Sequence, residues 1–119
     1  MGATCVEYEV KMLTLDGGRC PFEEWFGAIR DKPTSARIRS RITRLRAGNF
    51  GDGKSVGAGV SELRLDFGPG YRVYFAIVGQ RIVVLLAGGD KSTQDRDIAQ
   101  ARQMWEQNKD ATERLQRDF

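Results

Sequence analysis

Apolar and polar residues alternate in two stretches of the chain, residues 6–12 and 62–67. A period of two predicts strands with one buried face. Residues 71–78 and 81–87 are also strand-like, and the second run, RIVVLLA, is apolar enough for a strand covered on both faces. Short glycine-containing turns separate the last three of these stretches, so they predict an antiparallel meander, which the first strand joins at an edge or in the centre.

Three other stretches have the spacing of amphipathic helices. Pro21 and Pro33 open two of them, and Ser92, with Asp95 three residues later, resembles a capping box at the start of the third. Their apolar stripes are Phe22, Trp25, Phe26 and Ile29; Ile38, Ile42 and Leu45; and Ile98, Ala101, Met104 and Trp105. The predicted order is β-α-α-β-β-β-α. We expect one α+β domain over residues 1–119, with a four-stranded antiparallel sheet, an N-terminal helical hairpin, a C-terminal helix and a frayed tail over 109–119.

Five glycines fall within residues 48–59, which predicts a loop. Residues 48–55, GNFGDGKS, also match the phosphate-binding pattern G-x-x-x-x-G-K-[ST]. That motif requires a buried strand before it and a helix after it. Here an arginine-rich helix precedes it and a strand is predicted beyond it, so we interpret the run as a loop and not as a nucleotide site.

The 119 residues contain no histidine, which excludes histidine-based acid–base catalysis and His-metal chemistry. Cys5 and Cys20 are too few for a zinc site and are interpreted as reduced thiols. Residues 30–54 carry eight basic and two acidic side chains, a net of +6, which suits a polyanion or an acidic protein. There is no signal-peptide pattern and no run long enough to span a bilayer, so we expect a cytoplasmic protein.

Several segments together resemble the "addiction module killer protein" branch of the RelE/ParE toxin superfamily. They read ELR at 62–64, GPGYRVYF at 68–75, LLAGGDKSTQ at 85–94 and DI at 97–98. The likeness covers about residues 6–108, in element order as well as in motif. It implies a RelE-like fold and the toxin of a type II toxin–antitoxin module, which cleaves messenger RNA on the ribosome without a metal or cofactor.

The resemblance also implies site residues. Arg72 is the candidate for stabilising the phosphate and the transition state, with Arg64 facing the same region from the neighbouring strand. Lys91 and Lys54 are candidates for further positive charge or a proton. The predicted RNA-binding residues are Arg37, Arg41, Arg44, Tyr71 and Tyr74, with the two tyrosines as possible stacking platforms. The proton donor is otherwise unassigned.

The alternative for Arg72 is a structural ion pair with Glu62 or Asp66, and the alternative for the arginine helix is a solvated face. Two other functions stay open: a ParE-like DNA gyrase poison without chemistry of its own, and an inactive member that binds its antitoxin. The implied partners are an antitoxin with a helix-turn-helix domain and the ribosome with its message. Operator DNA would be bound only through the antitoxin, and no membrane is involved.

Overall fold

The computed structural model describes residues 7–51 and 53–119, so Cys5 and Val6 lie outside the described residues. The first half contains one strand and two helices: β1 (Glu9–Met12), α1 (Pro21–Gly27) and α2 (Lys32–Arg46). Four strands follow: β2 (Gly53–Gly57), β3 (Val60–Leu65), β4 (Tyr71–Val78) and β5 (Ile82–Asp90). The chain then forms a 3-10 turn (Lys91–Thr93), α3 (Gln94–Asn108), a second 3-10 turn (Thr112–Leu115) and β6 (Arg117–Asp118).

The strands form one mixed sheet in the order β2-β3-β4-β5-β1-β6. The predicted α+β class and the β3-β4-β5 meander are confirmed. The predicted four-stranded antiparallel sheet is wrong, because the sheet has six strands and β1 runs parallel to β5. β1 is also paired on its other side, antiparallel to β6.

The helices α1 and α2 lie on one face of the sheet. Pro occupies the first turn of each, and the Asp31 side chain accepts a hydrogen bond from the Thr34 backbone at the start of α2. The predicted stripe Ile38, Ile42 and Leu45 is fully buried, against a core that includes Phe22, Leu63, Val73 and Phe75. The helical spacing in this part of the chain therefore predicted the packed face.

The helix α3 covers the opposite face of the sheet. Ala101 and Trp105 are buried there against Val60, Tyr74 and Leu86. β5 is covered on both faces, as its apolar run predicts. The predicted capping box at Ser92 is wrong: the Asp90 carboxylate accepts from the Ser92 backbone at 2.8 Å and starts the 3-10 turn, and α3 begins at Gln94.

The glycine-rich segment is not a loop throughout, which corrects the prediction for residues 48–59. Residues 53–57 form β2, which pairs antiparallel with β3. Ala58 and Gly59 make the tight turn, and both have positive φ angles of 56° and 81°. Lys54 therefore lies on an edge strand and not on a loop. The GKS residues 53–55 are themselves part of this strand, whereas a phosphate-binding loop would lead into a helix.

The predicted fraying of residues 109–119 is also wrong. Leu115 is buried beneath α3, and β6 pairs with β1. Phe119 packs edge-on against the rings of Phe22 and Phe26, with centroids 5.6 and 5.8 Å apart. Arg117 donates to both carboxylate oxygens of Glu23 at 2.8 Å. Apolar burial and ion pairs together hold this segment against the sheet and α1.

Candidate functional site

Arg64 and Arg72 face each other across the β3–β4 ladder, as the sequence predicts. They are directly paired in the register, so both side chains lie on the face of the sheet that α3 partly covers. The Arg64 side chain is 41% exposed, whereas that of Arg72 is only 8% exposed. The two guanidiniums thus occupy one site, with Arg64 at its rim and Arg72 inside.

The Glu62 carboxylate lies beside both arginines and was not predicted as part of the site. Its side chain is 1% exposed. Oε1 accepts from Nε of Arg64 at 3.0 Å, and Oε2 accepts from the Tyr74 hydroxyl at 3.2 Å. Oε2 also accepts from Nε2 of Gln94 at 2.8 Å, and Nε of Arg72 is 3.9 Å away. We call these five residues the Glu62 network.

The network keeps Glu62 ionised. Burial by itself would raise the pKa of Glu62, but hydrogen bonds from Arg64, Gln94 and Tyr74 outweigh it, and the pKa lies below the ordinary value of 4.5. Burial and the adjacent negative charge of Glu62 raise the pKa of Tyr74, which therefore stays protonated as a donor. Glu62 is thus a fixed negative charge between the two arginines.

The guanidinium of Arg72 is nearly buried but poorly satisfied. Its Nε has no hydrogen-bond partner among the described residues, and the Glu62 oxygen at 3.9 Å is too distant for a hydrogen bond. A Cβ built on Gly70 would lie 3.9 Å from Nη1 of Arg72 and 3.3 Å from Cβ of Lys91. Arg72 and Lys91 therefore flank the Gly70 turn. Glu62 is close enough to form the ion pair predicted as the structural alternative for Arg72, but Nε keeps an unused donor, and a buried donor without a partner is costly.

Lys54 and Lys91 border this site on two sides. Lys54 is paired with Glu62 in the β2–β3 register and lines a cleft of about 440 Å³ with Gly53, Arg64 and Asp66. We call it the sheet cleft. Lys91 is exposed just after β5, and its backbone N–H donates to Pro69 at 3.4 Å. All four predicted catalytic side chains thus lie on or next to the Arg72 face.

Gly88 and Gly89 make room for side chains from both faces of β5. A Cβ on Gly88 would overlap the Trp25 ring, and a Cβ on Gly89 would overlap the Asp97 carboxylate. Asp97 is 8% exposed and accepts from the Thr93 hydroxyl at 2.5 Å. Because Gly89 is paired with Arg72 in the register, α3 begins close to the arginine site.

The two predicted stacking tyrosines occupy different places. Tyr71 is on the opposite face from Arg72 and packs edge-on to Trp25 and against Phe67, with centroids 6.3 and 5.4 Å away. Tyr74 is on the Arg72 face but is fully buried, with its hydroxyl on Glu62. The assignment of Tyr74 as a base-stacking residue is therefore corrected, because no ring surface is exposed.

The predicted RNA-binding arginines of α2 lie on the face opposite Arg72. Together they line a groove of about 390 Å³, which we call the α2 groove. Its lining is Arg37, Ser40, Arg41, Arg44, Leu65, Asp66 and Phe67. The Arg37 guanidinium stacks 3.8 Å above the Phe67 ring. These three arginines were named together from the sequence, which did not reveal which side of the sheet they occupy.

Sequence reasoning named Glu62 only as an ion-pair alternative for Arg72, and it missed Gln94 and Asp97. Glu62 occurs in an alternating strand at a position that appears solvent-facing, and only the packing of α3 makes it buried. Asp95 and Asp97 both lie in the first turn of α3. Acidic residues are common at that position of a helix, so the sequence did not indicate that Asp97 is buried. One signal was available in the sequence: Glu62 is predicted to lie on the same strand face as Arg64 and Arg72, which indicates that it could pair with them.

Within the two described ranges, no cluster of three His, Cys, Asp or Glu side chains is arranged to hold a metal ion. None of the helices found in these ranges is long and apolar enough to cross a membrane. Cys20 is buried, and this burial raises the pKa of its thiol.

The fold and the site define an α+β protein with a sheet covered on both faces and two paired arginines, one buried and one at the rim, beside one buried carboxylate. No family model matches the chain. It is 52% identical over 81 residues to an uncharacterized protein of Haemophilus influenzae, an alignment that covers 68% of this chain and 82% of the relative. The chain belongs to the same family as that Haemophilus protein.

Proposed function

We propose that this protein is the toxin of a type II toxin–antitoxin module, with a RelE-like fold, that cleaves messenger RNA on the ribosome without a metal. The single observation that carries the proposal is the Arg72 guanidinium, which is nearly buried, has spare donors and lies beside Arg64. Such a site is suited to one phosphate group. The segments at 62–64, 68–75 and 85–94, which resemble this superfamily, contain Glu62, both arginines and Gln94.

The chemistry needs only positioning and charge. RNA supplies its own nucleophile: the 2′-oxygen forms a bond to phosphorus while the bond to the 5′-oxygen breaks. The 2′-hydroxyl loses its proton and the leaving 5′-oxygen gains one. Arg72 and Arg64 would hold the non-bridging phosphate oxygens, whose negative charge grows in the transition state. Their planar forks match two oxygens at a time.

Proton transfer would fall to the lysines, because the chain has no histidine. Lys91 beside the Gly70 turn and Lys54 in the sheet cleft are the candidates. Tyr74 is a poor candidate, because its hydroxyl is buried and already donates to Glu62. In the same proposal, the partner is an antitoxin with a helix-turn-helix domain, through which the pair would bind operator DNA, and the toxin acts in the cytoplasm.

The test is expression in a susceptible bacterium, followed within minutes by mapping the 5′ ends of messenger RNA. Wild type should arrest growth and create new, in-frame cleavage ends, and Arg72→Ala should abolish both. Arrest with intact messages would refute the nuclease and direct attention to a gyrase poison. A wild type that causes no arrest would leave an antitoxin-binding role.

A further inference from the structure

The α2 groove and the sheet cleft lie on opposite faces of the sheet but share one residue. Asp66, directly after β3, lines both of them. On one side of it are Arg37, Arg41 and Arg44, and on the other are Lys54 and Arg64. The two depressions therefore form one continuous surface around the end of β3. We call this surface, which contains Arg37, Arg41, Arg44, Asp66, Lys54 and Arg64, the basic path.

Among the described residues, five cations on this path face a single exposed carboxylate, that of Asp66. Among residues 7–51 and 53–119, only Arg64 of the five forms an ion pair, and that pair is with buried Glu62. The charge on the path is thus not neutralised by the described part of the protein. A polyanion would be attracted to it and would release its counterions on binding.

We propose that the basic path binds a single strand of RNA, which runs from the α2 groove past Asp66 to the arginine site. Its identity as RNA rests on the proposed function. Three features favour a flexible strand over other polyanions. The path turns from one face of the sheet to the other, which a stiff duplex cannot follow. A rigid acidic helix would fill only one of the two depressions. The Arg37 guanidinium lies over the Phe67 ring, with Cζ 3.8 Å from the centroid, and a guanidinium plane can stack on an unpaired base.

The geometry also gives Asp66 a role. It lies at the bend, where a phosphate would pass between the two groups of cations. Its negative charge weakens binding at that point and would let a cleaved strand leave. Removing that charge should therefore tighten binding, the opposite of what a supporting contact would show.

The experiment measures binding of a fluorescent single strand of about 12 nucleotides by anisotropy. The probe is 2′-O-methyl RNA, which lacks the nucleophile, so binding is measured separately from cleavage. Arg37→Gln and Arg44→Gln, both exposed positions, should each weaken binding about five- to tenfold, and so should Lys54→Gln. Each should also lower the salt slope by about 0.7. Asp66→Asn should tighten binding about threefold.

The matched control is Arg81→Gln, an exposed arginine in the turn between β4 and β5 at the other end of the sheet. It removes the same charge and should leave affinity nearly unchanged. Thermal unfolding of each variant checks that it is folded. A second titration uses poly-glutamate as the competing acidic protein probe, which should displace RNA only weakly.

Several results would overturn the proposal. One is that the α2 variants behave like Arg81→Gln while Lys54→Gln weakens binding, which would confine RNA to the sheet cleft. Another is that poly-glutamate binds as well as RNA and depends on the same arginines, which would make the α2 groove a protein-docking surface. If the expected affinities are seen but cells show no message cleavage, the path stands and the nuclease proposal fails.

Discussion

Nε of Arg64 donates to Oε1 of Glu62 at 3.0 Å, from a side chain that is 41% exposed to one that is 1% exposed. The contact uses only the Nε edge of the guanidinium. Neither Nη group of Arg64 makes a hydrogen bond to the described residues, and Arg64 lines the sheet cleft. The buried Glu62 carboxylate thus holds the Nε side of the Arg64 guanidinium, and the two Nη groups stay available to a ligand.

Glu62→Gln should therefore weaken the fold and the site together. The amide cannot accept all three hydrogen bonds as strongly, and the variant removes the negative charge that lies between Arg72 and Arg64. We expect a loss of about 1–3 kcal/mol in the free energy of unfolding, measured with urea. Glu9→Gln, at an exposed residue whose ion pair with Lys11 is 3.8 Å long, is the control and should change stability little. Equal stability of the two variants would contradict the network.

Acid should destabilise the wild type partly through Glu62. The pKa of Glu62 is lowered on folding, so the unfolded chain binds its proton first as the pH falls. The contribution is complete above pH 4.5 and is lost as the pH falls through the lower, folded pKa. Chemical unfolding across this pH range should show that the free energy of unfolding falls less steeply with acid in Glu62→Gln than in wild type. Parallel curves would show that Glu62 does not titrate differently on folding.

Much of the fold could be predicted because it depends on local patterns. Helix α1 begins at Pro21 and α2 begins one residue before Pro33, both carry apolar stripes that pack on the core, and β4 was predicted with its observed bounds. β2 was missed because two of its five residues are glycine, and only pairing with β3 makes it a strand. The tail was missed because Leu115 and Phe119 give no periodic pattern, and their burial depends on distant residues.

The sequence predicted which arginines form the site but not how deeply Arg72 is buried. The pairing of Arg64 with Arg72 followed from strand geometry, and the structure confirms it. Sequence could not show that Arg72 is buried, because arginine in an alternating strand usually indicates the exposed face. The burial arises from α3, which also brings Gln94 to Glu62 over 32 positions of sequence. A long-range helix contact of this kind has no local signal.

Gly88 should not tolerate even one added methyl group. The space for its Cβ is filled by the Trp25 ring, so Gly88→Ala must displace an aromatic side chain of α1. We expect a loss of about 1–3 kcal/mol in the free energy of unfolding. Gly27→Ala is the matched control, because its Cβ would meet nothing within 4 Å and its φ angle is ordinary. A Gly88→Ala protein as stable as Gly27→Ala would show that Trp25 does not pack on β5.

Phe119 should contribute measurably to stability, although the loss of an apolar pattern beyond Asn108 predicted fraying. Its ring contacts Phe22 and Phe26, and Arg39 lies 5.1 Å from its centroid. Phe119→Ala should lower the free energy of unfolding by about 1–3 kcal/mol, less than for a fully buried ring. Phe119→Leu should restore part of the loss. Thermal unfolding that is unchanged by Phe119→Ala would mean that the tail is detached in solution.

The most direct test of the account is cleavage of a message by purified protein on programmed ribosomes, measured in single turnover. Arg72→Ala should reduce the rate about 10²–10³-fold, because a preorganised donor to the transition state is lost. Arg72→Lys should recover little, since a lysine lacks the planar fork. Arg81→Gln should cleave at the wild-type rate, and unfolding curves should show that all the variants are folded. A folded Arg72→Ala protein that cleaves as fast as wild type would contradict the account.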